Sequence, residues 1–231
     1  MLKALSPGVL KARGVFETMR CYQGKAELLG AHLVRLMKGL KGLKIKHAVT
    51  ADTVTMIIKQ VIKRNPKIAL GRLRVMVFQE GKEIHCAVMI LNYTPPTARM
   101  YKTGFKLTVM PTKKTATARH ADVKSLDYAF FTDAYAKARA QGFDDAILLN
   151  NKGHAVESTR ANIFIAYEGK LITPPLSSGC LNGIMRQEVI KSARRLKITL
   201  AEENITPTML RKAGQIYLTN SLLGIIQAHM S

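Results

Sequence analysis

The chain has 231 residues, 47% of them apolar, enough for one large domain or two small ones with a real core and too apolar for a disordered chain. Lys and Arg number 36 against 15 Asp and Glu, a net charge of +21 that attracts polyanions without specifying a fold. No run approaches the roughly 18 apolar residues of a membrane span, charges at Lys3, Lys11 and Arg13 interrupt any secretory leader, and Cys21, Cys86 and Cys180 form no paired framework. A soluble, cytoplasmic protein with three reduced thiols is the expectation.

The densest positive stretch is Lys38, Lys41, Lys44 and Lys46 with His47. Aromatic residues are 6% of the chain and Trp is absent, so there is little for bases to stack on. A solvated basic face that helps draw in a small anionic substrate is the plainer reading, with nucleic acid bound only non-specifically through the net charge.

In chain order, Ser6-Pro7-Gly8 marks a turn, Val15 to Tyr22 alternates like a strand, and Gln23-Gly24-Lys25 turns the chain. Glu27 to Lys38 then has Leu28, His32 and Leu36 at helical spacing. Asp52 is placed to cap a second helix, whose stripe is Val54, Ile57, Ile58 and Val61 and which ends at Asn65-Pro66. Strands are expected at Gly71 to Phe78, Ile84 to Tyr93 and Phe105 to Met110. The mixture lacks the regular alternation of a doubly wound sheet. It reads as α+β, with a small domain over residues 1–98 and a larger one over 99–231. Gly-x-Gly-x-x-Gly, Walker A and paired metal-ligand histidine motifs are absent.

The second region carries the chemistry, concentrated between His120 and Arg186. Lys124 precedes a helix predicted from Asp127 to Gln141, with Tyr128, Phe131, Tyr135 and Ala138 inward and Gly142 as its stop. Ala146 to Leu149 and His154 to Glu157 form a hairpin across Asn151-Lys152-Gly153, with Glu157 beyond the turn. Ala161 to Ala166 and Lys170 to Ile172 extend the sheet. Gly183 to Arg186 opens a helix predicted to face Met185, Val189, Ala193 and Leu196 inward. Each signal is weak alone. Together they supply a lysine able to form a Schiff base, a carboxylate able to keep a pyridine nitrogen protonated, and helix-start amides able to bind phosphate. Pyridoxal 5'-phosphate requires all three.

Residues 14 to 223 resemble the class IV, fold-type IV pyridoxal-phosphate enzymes: branched-chain aminotransferases, D-amino-acid aminotransferases and aminodeoxychorismate lyases. The matching words are Gly14-Val15-Phe16-Glu17-Thr18-Met19-Arg20, His32-Leu33-Val34-Arg35-Leu36, Val123-Lys124-Ser125-Leu126-Asp127-Tyr128, Gly142-Phe143-Asp144-Asp145-Ala146, Val156-Glu157-Ser158-Thr159-Arg160-Ala161-Asn162, Leu171-Ile172-Thr173-Pro174-Pro175 and Gly183-Ile184-Met185-Arg186. The resemblance implies a small α/β domain beside a larger β-barrel-like domain with flanking helices, assembled as a homodimer. It implies that Lys124 carries the cofactor and shuttles the α-proton, that Glu157 pairs with the ring nitrogen, and that Tyr128 touches the ring hydroxyl. Phosphate contacts are expected from Arg35, the amides of Ile184 and Met185, and Ser221. Asp127 stands where the family usually has Asn.

For the reaction, Arg72-Leu73-Arg74 replaces the Tyr-x-Arg expected of a branched-chain enzyme. Leu181 to Gln187, with Met185 where aminotransferases usually have Thr, and Thr219 to Gly224 are similar to aminodeoxychorismate lyases. The expectation is therefore a lyase that converts 4-amino-4-deoxychorismate to 4-aminobenzoate and pyruvate in folate biosynthesis. A branched-chain or D-amino-acid aminotransferase is the alternative, and a non-catalytic nucleic-acid-binding relative a third. Arg72, Arg74, Arg160, Asn220 and Leu222 are the candidate substrate contacts, and Thr18 the candidate to move a proton on the substrate side. The approach through residues 6–13 departs from the family's usual pattern and implies a short or remodelled first edge. The end at Ser231 implies a reduced last segment.

Overall fold

In the computed structural model the described residues are 13–46, 48–111 and 123–231. The expected Ser6-Pro7-Gly8 turn, the short or remodelled approach to Gly14 up to residue 12, and His120 lie outside them. The chain divides into two compact units, Met1–Pro95 with Val123–Ala129, and Pro96–Asp122 with Phe130–Ser231.

The first unit is a four-stranded antiparallel sheet with two helices on one face. Strand β1 (Arg13–Tyr22) turns through Gln23 and Gly24 into β2 (Lys25–Ala26). Both turn residues have positive φ, the geometry whose twist suits a two-residue hairpin. Helices α1 (Leu29–Gly42) and α2 (Ala51–Lys63) follow, then the long hairpin of β3 (Leu70–Glu80) and β4 (Glu83–Asn92), giving the order β2-β1-β3-β4. Alternation sorts the side chains. Val15, Met19 and Cys21 of β1 join Leu73, Val75 and Val77 of β3 under Leu36, Leu40, Val54 and Ile58 of the helices. Each fully buried aliphatic side chain here contributes about 1.5–3 kcal/mol. Phe16, Met76, Phe78 and Ala87 face the other way and pack with Leu126.

The residues around Lys124 return to this sheet. Phe16 donates its N–H to the Lys124 carbonyl at 2.9 Å, Leu126 donates to Gly14 O at 2.9 Å, and Val15 and Ser125 form an antiparallel bridge. The close approach depends on Gly14, where a Cβ would collide with Val77 O, Phe78 Cβ and the Leu126 side chain.

The second unit is built on an eight-stranded mixed sheet. Helix α3 (Ala98–Thr103) leads into β5 (Phe105–Pro111), α4 (Ala129–Ala140) into β6 (Asp145–Leu149) and β7 (Ala155–Ser158). Then come β8 (Asn162–Tyr167), β9 (Lys170–Thr173), α5 (Ile184–Arg195), β10 (Leu200–Glu202), α6 (Pro207–Lys212), β11 (Gln215–Asn220) and β12 (Gly224–Met230). The strand order is β10-β9-β8-β11-β12-β5-β6-β7. Ala155 of the last strand donates to Ile205 O at 2.8 Å, just past the strand at the opposite end. The sheet has therefore curled until its two ends meet, the barrel-like form, around Leu107, Ile147, Ile163, Ile165, Leu218 and Ile226.

Four expectations change. Thr50, not Asp52, caps α2, accepting the Thr53 N–H at 3.1 Å, and Asp52 sits in the first turn where its charge suits the helix dipole. Helix α4 begins at Ala129 and buries Ala134 and Ala138, leaving Tyr128 before the helix and Phe131 and Tyr135 half-buried. Helix α5 buries Ile184, Arg186, Ile190 and Ala193, while Leu196 is 64% exposed. The predicted stripe was displaced along the helix because buried Arg186, which donates to Pro174 O at 2.9 Å and pairs with Glu202 at 2.6 Å, does not read as an inward residue. Helix α3, capped by the Thr97 hydroxyl, was not anticipated. Among the described residues no helix is long and apolar enough to cross a membrane, and Cys21, Cys86 and Cys180 are free thiols.

Candidate active site

In the first unit the lysine is presented by the strand-like segment on the edge of β1. Lys124 Nζ lies 4.5 Å from the centre of the Phe16 ring and 5.7 Å from that of Tyr128. Tyr128 meets Phe16 edge-on, with centroids 5.4 Å apart. Arg74 places its guanidinium carbon 4.4 Å from the same Phe16 ring. Thr18 lies opposite Arg74 in the β1–β3 register and is half-buried; Arg72 lies opposite Arg20 and is exposed. Burial, and then the charge of Arg72, pull Arg74 below its ordinary pKa against a smaller opposing effect of Tyr128.

Arg35 is one turn beyond His32 on α1, and both reach Glu17. Arg35 donates from Nε to Glu17 Oε1 and from Nη2 to Oε2, each at 2.7 Å, and His32 Nδ1 lies 2.6 Å from Oε2. Glu17 is 1% exposed. Burial pushes its carboxyl up, but the hydrogen bonds and charges of Arg35 and His32 more than reverse this and leave it below the ordinary value. The fork-to-fork pairing fixes the guanidinium plane. Sequence reading singled out Arg35 and assigned nothing to Glu17 or His32. The available signal was an acid in the middle of an alternating apolar strand.

In the second unit Glu157 is 5% exposed on β7, opposite Leu148, and accepts the Leu181 N–H at 3.2 Å. The turn after it is organised by Asp145, which sequence reading passed over. Asp145 Oδ1 accepts the Thr159 hydroxyl at 2.5 Å and the Thr159 and Ala146 amides at 3.1 and 2.7 Å, while Oδ2 accepts the Ser158 hydroxyl at 3.0 Å. Burial raises the Asp145 pKa, with Thr159, Arg160, Ala146 and Ser158 pulling the other way. Arg160 is exposed, lies 3.6 Å over the Tyr135 ring and keeps Nε 3.8 Å from Asp145.

The N-terminus of α5 is open. Gly183 is its N-cap, no side chain caps it and its first turn holds no acid, so the first amides, Ile184 and Met185 among them, point outward as donors. A Cβ at Gly183 would overlap Asn162 Oδ1, and Asn162 donates to Leu181 O at 2.8 Å, tying the approach to the helix. Asn220 ends β11 and folds the turn that carries Ser221 and Leu222: its Oδ1 accepts the Leu222 and Leu223 amides at 2.9 and 2.8 Å, and its Nδ2 donates to Arg160 O at 3.1 Å. Ser221 and Leu222 are half-buried.

The structure thus gathers Lys124, Tyr128, Thr18, Arg72, Arg74 and Arg35 on the first unit's sheet and α1, and Glu157, Arg160, Ile184, Met185, Asn220, Ser221 and Leu222 on the second unit. Residues 14–230 match the family model for amino-transferase class IV. The aminodeoxychorismate lyase of Bacillus subtilis is 27% identical over 236 residues, covering 98% of this chain and 80% of that one. A branched-chain aminotransferase from Thermoproteus uzoniensis, solved with norvaline, superposes with a TM-score of 0.89 at 26% identity, covering 100% of this chain and 82% of the other. A hypothetical aminotransferase from Mycobacterium tuberculosis in its pyridoxal-phosphate-bound form shares the fold, with a TM-score of 0.85 at 23% identity over 100% of this chain and 86% of that one. The chain therefore belongs to the class IV aminotransferase family, whose members depend on pyridoxal phosphate, and it is an enzyme of either the aminotransferase or the lyase kind.

Proposed function

We propose that this enzyme is a lyase that splits 4-amino-4-deoxychorismate into 4-aminobenzoate and pyruvate, a step of folate synthesis, working in the cytoplasm as a homodimer. The observation that carries the reading is the face of the first sheet turned away from its helices, at the end of the strands beyond Phe16 and Met76. Arginines occupy it at positions 72 and 74, where a pocket for a purely apolar side chain would place an aromatic or aliphatic lining. A substrate with two carboxylates suits such a face.

The side chains fit pyridoxal phosphate. The uncapped α5 start, with no acid in its first turn, suits a phosphate; buried Glu157 suits a protonated ring nitrogen; Lys124, beside Phe16 and Tyr128, suits the aldehyde carbon. When bound, the cofactor supplies a sink for the electron pair left at the substrate carbon. Arg35, held flat by Glu17, and the amides of Ile184 and Met185 with the Ser221 hydroxyl hold the phosphate. Glu157 keeps the ring nitrogen protonated. Tyr128 supports the ring hydroxyl. Lys124 removes the proton from the amine-bearing carbon, and Thr18, on the substrate side of β1, helps return a proton as pyruvate leaves. Arg72, Arg74 and Arg160 attract the carboxylates, with Asn220 shaping the turn that brings in Leu222.

The deciding assay offers 4-amino-4-deoxychorismate without an amino acceptor. Pyruvate and 4-aminobenzoate in equal amounts are expected. Nitrogen transfer from glutamate or D-alanine to a keto acid, with neither product formed, would make it an aminotransferase instead. Lys124→Ala is expected to abolish covalent cofactor attachment, read by borohydride reduction and peptide mapping, and to lower turnover on the order of 10⁴-fold. Light scattering at micromolar concentration tests the dimer.

A further inference from the structure

Strand β11 reads Gln215-Ile216-Tyr217-Leu218-Thr219-Asn220, and successive side chains go to opposite faces of the second unit's sheet. Ile216 and Leu218 enter the barrel core, to which α5 contributes no residue among those described. Thr219 therefore lies on the other face, where α5 packs against β11. The register sharpens its position. Thr219 stands opposite Asn162 of β8 and Ile225 of β12, and directly opposed residues hold their side chains next to one another, with Cβ atoms about 4.5–5.5 Å apart. On one side Asn162 reaches the start of α5, donating to Leu181 O at 2.8 Å and lying so near Gly183 that a Cβ there would overlap its Oδ1. On the other side Ile225 is 50% exposed. This face is covered at Asn162 and open at Ile225, with Thr219 between them.

Threonine is an ordinary strand residue, and a buried hydroxyl normally finds a hydrogen-bond partner. Thr173 at the end of β9 does so, fully buried and donating to Ile163 O at 2.8 Å. Thr219 does not. It is 1% exposed, and its Oγ1 is shut off from solvent with no hydrogen-bond partner among the described residues. A hydroxyl buried in that condition costs free energy, so packing alone would favour valine, which has the same shape. Beside it the first turn of α5 presents amide donors without a side-chain cap or an acid, and Ile184 and Met185 carry no polar side-chain group. Two sets of donors without acceptors thus adjoin, and one anion rich in acceptor oxygens satisfies both.

We propose that Thr219 is a further binding residue for the phosphoryl group received at the start of α5, its hydroxyl donating to a phosphate oxygen. This rests on the reading of the α5 amides as phosphate donors and adds to them a side chain from the neighbouring strand. The hydroxyl is then a group held for its ligand and not for the fold. Stability and affinity therefore respond to its removal in opposite directions, which no purely structural threonine does.

The test combines thermal unfolding with calorimetric titration of the cofactor-free full chain at an ionic strength of about 0.15 M, where loose surface attraction is screened. The probes are pyridoxal phosphate, inorganic phosphate and pyridoxal. Thr219→Val is expected to unfold at the same or a higher temperature than the parent and to bind both phosphate probes about tenfold more weakly, as suits one lost hydrogen bond to a charged group. Its affinity for pyridoxal should be unchanged. Thr219→Ser, which keeps the hydroxyl, is expected to bind within about threefold of the parent. Thr173→Val breaks a bond already made and is expected to do the reverse, lowering the unfolding temperature and leaving phosphate affinity intact. Should Thr219→Val not fold, the affinities of Thr219→Ala, with unchanged circular dichroism, are read in its place. Equal phosphate affinity in parent and variant, an equal loss for pyridoxal, a drop in unfolding temperature as large as that of Thr173→Val, or a parent that binds neither phosphate probe overturns the proposal. A tenfold loss for inorganic phosphate in a protein that forms no covalent adduct with pyridoxal phosphate refutes the cofactor reading and leaves the role of Thr219 standing.

Discussion

The two units hold their site residues by different physics. In the first, the supports are charges: Glu17 grips Arg35 and His32, and arginines confront one another across β1 and β3. In the second, the supports are short-range hydrogen bonds between side chains and nearby backbone, as in the Asp145, Asn162 and Asn220 clusters. Charge pairs tolerate rearrangement when a ligand arrives, because their energy falls off slowly with distance. Side-chain-to-backbone bonds fix a loop to within a few tenths of an ångström. The first kind of support can adjust to what approaches it, and the second holds its loops in one arrangement.

Removing one partner of the Glu17 cluster should show the charge-based support at its strongest. Glu17→Gln leaves Arg35, whose side chain is 13% exposed, without its carboxylate, and is expected to cost about 3–5 kcal/mol by denaturant unfolding. It should also change the pH profile. Because Glu17 titrates below its ordinary value of 4.5 in the folded protein, the unfolded chain binds the proton more readily; the stabilisation is complete above that value and is lost as pH falls through the folded pKa. The variant should lack this contribution to acid sensitivity. A parent and variant with parallel curves below pH 5 would show that Glu17 is not the group responsible.

Gly183→Ala probes the second kind of support. The new methyl would overlap Asn162 Oδ1, and overpacking of this sort costs about 1–3 kcal/mol. Phosphate affinity should fall with stability, since the displaced amide of Asn162 no longer ties Leu181 at the helix entrance. Unchanged affinity for pyridoxal phosphate would uncouple that entrance from anion binding. The smallest effect is expected from Asn220→Ala, about 1 kcal/mol for the lost turn bonds, with KM rising more than kcat falls. If Asn220 contacts substrate directly, kcat falls as well.

Legibility in the sequence follows the same division. The strands around Phe16, Val75, Val88 and Ile147 and both helices of the first unit could be read from apolar period, while Lys124, Glu157 and Gly183 stand as candidates on the chemistry their spacing allows. What period cannot carry is pairing between distant segments. The return of Lys124 to the edge of β1, away from the 99–231 stretch it belongs to in sequence, depends on hydrogen bonds to Gly14 and Phe16 that leave no local trace. The Glu17–Arg35 pair was hidden because an acid in an apolar strand looks like an interruption until its partner is known. Thr50 was overlooked as the α2 cap because Asp52 is equally good in isolation, and only geometry chooses between them.

The bridge between Val15 and Ser125 has a further consequence. Strand β2 is two residues long and covers β1 only at Cys21 and Tyr22, leaving the remainder of that edge to be capped by other means. Exposed edges invite pairing between molecules, and the segment bearing Lys124 occupies part of this one. The same few hydrogen bonds that aim Lys124 thus guard the sheet against self-association, so a change that loosens the lysine segment should be felt in colloidal behaviour as well as in turnover.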